Sequence, residues 1–166
     1  MIDHTSTLSV TTPSDVEVRV TRVFDAPRRL VFQALTTPAI LKRWMHGPNG
    51  WTLTVCDIDL RVDGRFRYVW RKADGREMGA GGIFRVVDAP ARLVHTELFD
   101  DDWTGGEAEV DTALDEVSGT TTLTVTMRYA SKAARDAALS TNFTSGMDAG
   151  YERLAAIRAE ADSIAD

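Results

Sequence analysis

The chain has 166 residues, 43% hydrophobic and 27% charged, with a formal net charge of −6. That length fits one domain able to bury roughly 70% of its extended-chain surface, and the lone cysteine, Cys56, excludes an internal disulfide and a zinc site built mainly from thiolates. With 25 acidic against 19 basic residues, general nucleic-acid binding is disfavoured, because that affinity comes from Lys and Arg on phosphates, and no run of 18 apolar residues offers membrane insertion.

The first stretch, MIDHTSTLSVTTPSD, has neither the basic start nor the apolar core of a signal peptide. Residues 1–14 read as a flexible polar tail and 15–163 as a single domain, with cytoplasmic residence expected. Residues 16–24, VEVRVTRVF, alternate as a half-buried strand does, with Arg22 on the apolar side. Asp25 is placed to cap a helix that has Pro27 in its first turn and Leu30, Val31, Ala34 and Leu35 as its stripe. Thr37-Pro38 restarts a short helix over 38–45, burying Ile40, Leu41 and Trp44.

From 51 to 129 the pattern predicts strands, separated by turn signals such as Val62-Asp63-Gly64, Ala73-Asp74-Gly75, Ala89-Pro90 and Ser118-Gly119. Gly79, Gly81 and Gly82 interrupt one strand and mark a bend, a bulge or a close approach. The basic group Arg61, Arg65, Arg67, Arg71 and Lys72 reads as a solvated strand face. Residues 132–161 predict one long helix capped by Ser131, with Leu139, Phe143, Met147, Gly150, Leu154 and Ile157 as its buried stripe. Strand, two helices, about six strands and a long helix make an α+β fold, a curved antiparallel sheet closed over the last helix.

A bent sheet cannot lie flush against a straight helix, so an apolar cavity with a few polar groups is expected between them. Its expected lining is Trp44, Trp51, Tyr68, Trp70, Phe84, His95, Phe143 and Met147, with Trp44, Met45, Trp51 and Trp103 placed to gate the mouth. The candidate catalytic groups are His95, Glu97, Arg22 and Asp57, polar residues on otherwise apolar strands. His95 and Glu97 share a strand face, so they either bind or protonate a substrate together or form a pair on the outer face. Cys56 reads as buried packing, because no activating base is identifiable. There is no GxGxxG, P-loop, HExxH or GxSxG pattern. His4, His46 and His95 are too scattered for a metal cluster, so neither metal nor cofactor is expected.

Several phrases carry a family resemblance. TRVFDAPRRLVFQALTTPAILKRWM contributes Arg22, Ala26, Pro27, Val31, Phe32, Ala34 and Trp44, and Asp63-Gly64 then Phe66 stand where a Gly-Gly pair and an aromatic are usual. The DGRE turn after Trp70, the strand Gly82–Val87, the phrase APARLV at 89–94, TTLTV at 121–125, and Gly150, Tyr151, Leu154 and Ile157 in the final helix also match. Over roughly residues 16–160 the chain resembles the bacterial homologues of the Hsp90 ATPase activator, within the START-like or Bet v 1-like superfamily. The resemblance implies a helix-grip fold and no defined reaction or catalytic set. It implies three functional classes: binding of a small hydrophobic or amphipathic molecule, a polyketide cyclase or hydrolase, or a stress-related module with a protein partner. A homodimer through sheet edges or outer strand faces stays open as well.

Overall fold

The computed structural model describes residues 8–47, 49–103 and 105–165, with side chains through Arg158. In chain order the elements are β1 (Ser9–Thr11), β2 (Glu17–Phe24), α1 (Arg28–Thr36), α2 (Pro38–Trp44), β3 (Trp51–Ile58), β4 (Arg65–Lys72), β5 (Glu77–Asp88), β6 (Arg92–Phe99), β7 (Ala108–Val117), β8 (Thr120–Arg128), α3 (Lys132–Ser140) and α4 (Phe143–Ala165). The eight strands form one antiparallel sheet in the order β1-β2-β8-β7-β6-β5-β4-β3, with α4 on its inner face, which is the helix-grip arrangement.

One strand lies outside expectation. Ser9–Thr11, inside the segment read as a flexible tail, pairs with Arg19–Thr21 as an edge strand, so the sheet has eight strands rather than about six. His4 lies outside the described residues. The Ser118-Gly119 signal is borne out, with both residues at positive φ (52° and 78°), as a two-residue hairpin turn requires. Gly82 marks a close approach, because a Cβ there would overlap the Thr96 carbonyl of β6.

The helices differ more. Asp25 does not cap α1: Pro27 is the cap residue, no side chain of its own segment serves, and the Arg28 N–H instead donates to Glu116 Oε1 of β7 at 2.6 Å. The expected long helix is broken into α3 and α4 at Thr141-Asn142, with Asn142 at φ 60°. The hydroxyls of Ser140 and Thr141 donate back to the Ala137 and Ala138 carbonyls, both at 2.6 Å, and end α3 there. Ser131 does cap α3, accepting from the Ala134 N–H at 3.1 Å.

The core lies between the inner sheet face and α4. Val18, Val20, Phe24, Phe66, Phe84, Leu114, Leu123, Tyr151 and Leu154 are all buried there. Each large apolar side chain so placed contributes about 1.5–3 kcal/mol. Packing is tightest at Gly150, Tyr151 and Leu154, where Tyr151 meets Phe24 edge-on at 5.7 Å and lies 5.8 Å from Trp44. Toward the start of α4, Phe143 and Met147 are only half-buried. The helix therefore grips the sheet firmly in its middle and loosely where it begins.

Candidate functional site

Strand alternation divides the candidate residues between two faces. The register sets Glu97 opposite Ala108 and His95 opposite Val110, whose neighbour on β8 is Met127, so His95 and Glu97 both point inward toward α4. Asp57 pairs with Arg67 on the opposite, outer face, where Arg67 makes a two-pronged contact with Asp100. Arg22 is inward but sits on β2, three strands from β6, or about 14 Å at the usual strand spacing. The four expected catalytic groups therefore do not converge; only His95 and Glu97 are neighbours.

A small, mostly enclosed cavity of about 70 Å³ opens beside Glu97, lined also by Phe99, Trp103, Ala108, Met127, Tyr129 and Phe143. Its origin is local. Ala108, a small residue, stands opposite Glu97 and leaves room there, and the helix break puts Phe143 at the loosely packed first position of α4. Glu97 is half-buried by surface because its carboxyl faces this space, yet protein surrounds it. Among the described residues the carboxyl has no hydrogen-bond or ion-pair partner. Burial alone pushes its pKa up from 4.5 to about 7. The same burial raises the Tyr129 and Tyr68 hydroxyls, with Cys56 and Glu97 adding to the shift of Tyr68 and Glu97 to that of Tyr129, so both phenols stay neutral.

His95 is held differently. Its ring stands edge-on to Phe66 at 4.8 Å and to Phe84 at 6.1 Å, and its Nδ1–H donates to the Thr96 carbonyl at 2.9 Å. Burial lowers its pKa, keeping the ring neutral. His95 is thus a packed, tethered histidine beside the site.

The other expected lining residues fill space or join elements. Phe84 and Trp70 are core, and Trp70 Nε1 donates to the Met45 carbonyl at 3.0 Å, pinning the end of α2 to β4. Trp44 is buried, donates to the Ala34 carbonyl at 3.1 Å and packs between α2 and α4, away from any mouth. Trp51 is half-buried with the Lys72 ammonium 5.8 Å from its ring. Tyr68 stacks between Phe66 and Trp70 at 4.9 and 5.9 Å, and Met147 packs on the core edge. Of the expected lining residues only Phe143 reaches the cavity, together with Glu97 from the catalytic candidates and Trp103 from the gate. Phe99, Met127 and Tyr129 complete it; their inward alternation was visible in the sequence, but the register that brings them together was not.

Arg22 is 3% exposed and bridges the sheet to α4, with Nη2 3.1 Å from Glu152 and Nη1 3.8 Å from Asp148, and its guanidinium stands 5.2 Å from the Phe24 ring. Its Nε and Nη1 and the Asp148 Oδ1 find no hydrogen-bond partner. Cys56 is a buried free thiol whose pKa burial pushes up to about 11. A second concavity, an open groove of about 820 Å³, runs over the outer face past Arg65, Arg67, Ile83, Thr96 and Leu98. It is larger than the Glu97 cavity but open to solvent. Of its two arginines, Arg67 is engaged by Asp100, and Arg71 nearby lies 3.9 Å from Glu77, as expected of a solvated strand face.

The family pattern described as "Activator of Hsp90 ATPase homolog 1-like protein" matches residues 25–159. The chain belongs to this family. A solved protein of Rhodobacter sphaeroides is 32% identical, with a TM-score of 0.87 over 93% of this chain and 99% of that one. A Nitrosomonas europaea protein shares the fold at 23% identity, with a TM-score of 0.80 over 92% and 99% of the two chains. An AHSA1-like protein of Aeromonas hydrophila does so at 24% identity, with a TM-score of 0.67 over 84% and 93%. No curated protein matches the chain. This family and fold are compatible with ligand binding. Among the described residues no helix is long and apolar enough to cross a membrane.

Proposed function

We propose that this protein binds a small amphipathic molecule at Glu97, between the sheet and α4. The polar end meets the carboxyl, and the apolar part lies against Phe99, Trp103 and Phe143. The observation that carries this reading is the Glu97 carboxyl itself, enclosed by protein and without a hydrogen-bond partner among the described residues. A carboxyl that opens on a mostly apolar, aromatic-walled cavity and has no partner of its own marks a site where a ligand supplies what the fold withholds.

At about 70 Å³ the cavity holds a head group or a few waters, well short of the roughly 300 Å³ at which drug-sized pockets begin. A longer ligand therefore enters by displacing the half-buried Phe143 or Trp103, which stand at the loose start of α4 and on the β6–β7 loop. The cyclase or hydrolase reading has less support, since His95 is tethered and Arg22 and Asp57 lie elsewhere.

Native mass spectrometry of protein purified from its own host, followed by denaturing extraction, tests the reading. The wild type is expected to carry a stoichiometric small molecule, and Ala108→Val, which grows into the cavity, is expected to lose it while keeping its melting temperature within a few degrees. A ligand retained equally by that variant places binding elsewhere. An empty wild type that also fails to take up any compound from a host metabolite extract overturns the proposal.

A further inference from the structure

The cavity joins a carboxyl to an unusual share of π surface. Four of its seven lining residues, Phe99, Trp103, Tyr129 and Phe143, are aromatic, and Met127 adds a polarizable sulfur. Phe99 and Trp103 stand 4.9 Å apart at 51°, so two ring surfaces flank one side. Aromatic faces carry negative quadrupole density and attract cations, most strongly where water is excluded. A neutral ligand would need only shape there. The added carboxyl, unpartnered among the described residues, is the remaining half of an organic-cation site.

The approach to the cavity points the same way. The β6–β7 loop that carries Trp103 runs Asp100, Asp101, Asp102 to Glu107 with no basic residue between Phe99 and Ala108. Among the described residues only Asp100 pairs with a cation there, through Arg67, while Asp102 Oδ1 accepts the Gly106 N–H at 2.7 Å. This field and the chain's net charge of −6 raise the local concentration of cations and repel anions.

We propose that the Glu97 cavity takes the alkylated ammonium head group of an organic cation, held by the carboxylate and by the rings of Phe99, Trp103, Tyr129 and Phe143. This deepens the ligand-binding reading above and rests on it. The head group's methyls suit an aromatic wall that offers few hydrogen bonds. A primary ammonium or a metal ion would lose most of its hydration with few replacement acceptors beyond Glu97 and the Tyr129 hydroxyl. The titratable groups facing Glu97 are Tyr68 of β4, Tyr129 after β8 and His95 on its own strand, all neutral near pH 7. A bound cation favours the ionised form of Glu97 alone among these groups, and because the carboxyl is about half protonated at pH 7, binding there releases up to about half a proton.

Isothermal titration calorimetry with choline chloride and with its uncharged isostere 3,3-dimethylbutan-1-ol tests this, on the full chain at pH 7 in buffers of different ionisation enthalpy. Choline is expected to bind at least 10-fold more tightly than the isostere, with proton release, and Glu97→Gln is expected to bring the two affinities together. Trp103→Leu is expected to weaken choline more than the isostere. Equal affinities for the two probes would sink the cation inference and leave the small-molecule reading intact. Binding of neither probe also overturns it, and the native mass spectrum then decides separately whether another molecule occupies the cavity.

Discussion

A carboxyl with a pKa near 7 holds a proton over a pH range in which the unfolded chain has already released it. Between about 4.5 and 7 the folded protein binds more protons than the unfolded one at Glu97, so stability falls as pH rises through that window and levels off above it. Glu97→Gln removes the effect. In urea unfolding at pH 8 the variant is expected to be more stable than wild type by about 3 kcal/mol, and at pH 4 to match it. Curves that stay parallel from pH 4 to 8 would contradict the burial of this carboxyl. His95 acts on the other side: its lowered pKa means stability declines as pH drops below about 6.5, equally in both proteins. Cys56, with its thiol pushed up to about 11, is expected to react with a thiol reagent at pH 8 only as fast as the chain unfolds. Modification at the rate of a free cysteine would show that β3 opens readily.

At the scale of elements, the break between α3 and α4 and the hold on α4 decide how open the cavity can be. Asn142 sits in the left-handed region at φ 60°, which costs most L-residues about 1–2 kcal/mol and asparagine less. Asn142→Gly is expected to leave the melting temperature nearly unchanged and Asn142→Ala to lower it by several degrees; equal melting would mean the break is not fixed by this residue. Further along α4, Asp148 and Glu152 compensate the buried Arg22 charge from half-exposed positions. Solvent screens those acids, so the pair is weaker than a fully buried one, but neutralising both leaves Arg22 uncompensated. The double variant Asp148→Asn, Glu152→Gln is expected to lose roughly 2 kcal/mol of stability and to speed hydrogen exchange in α4 relative to the sheet. Unchanged α4 exchange would show that apolar packing at Tyr151 and Leu154 holds the helix without Arg22.

For the whole molecule, alternation and turn residues made the strands legible, because a two-residue period with Ser118-Gly119 or Asp74-Gly75 between runs has few other solutions. The edge strand at Ser9–Thr11 was not, since three polar-flanked residues carry no period; pairing with β2 makes it a strand. The helix break was signalled by Ser140-Thr141-Asn142, residues that favour caps over helix interiors, but the apolar stripe runs straight through it and masked the stop. At the site, the shared face of His95 and Glu97 followed from their spacing. Their different fates did not, because Ala108 opposite Glu97 and the ring of Phe66 beside His95 arrive from other strands. In place of the broad aromatic chamber expected from Tyr68, Trp70 and Phe84, those rings pack into the core through Phe66 and one another, Tyr68 against Phe66 and edge-on to Trp70, and Phe84 against Phe66. The small space at Glu97 lies beside them, lined by Phe99, Trp103, Ala108, Met127, Tyr129 and Phe143.

Everything at the site turns on Glu97 being a carboxyl surrounded by protein and facing that space. The most direct test is a ¹³C NMR titration of the Glu97 side-chain carboxyl, assigned by comparison with Glu97→Gln. A midpoint near pH 7 that falls when a ligand binds is the expected result. A midpoint near 4.5, unmoved by any ligand, would mean that the carboxyl is solvated and that the site lies elsewhere.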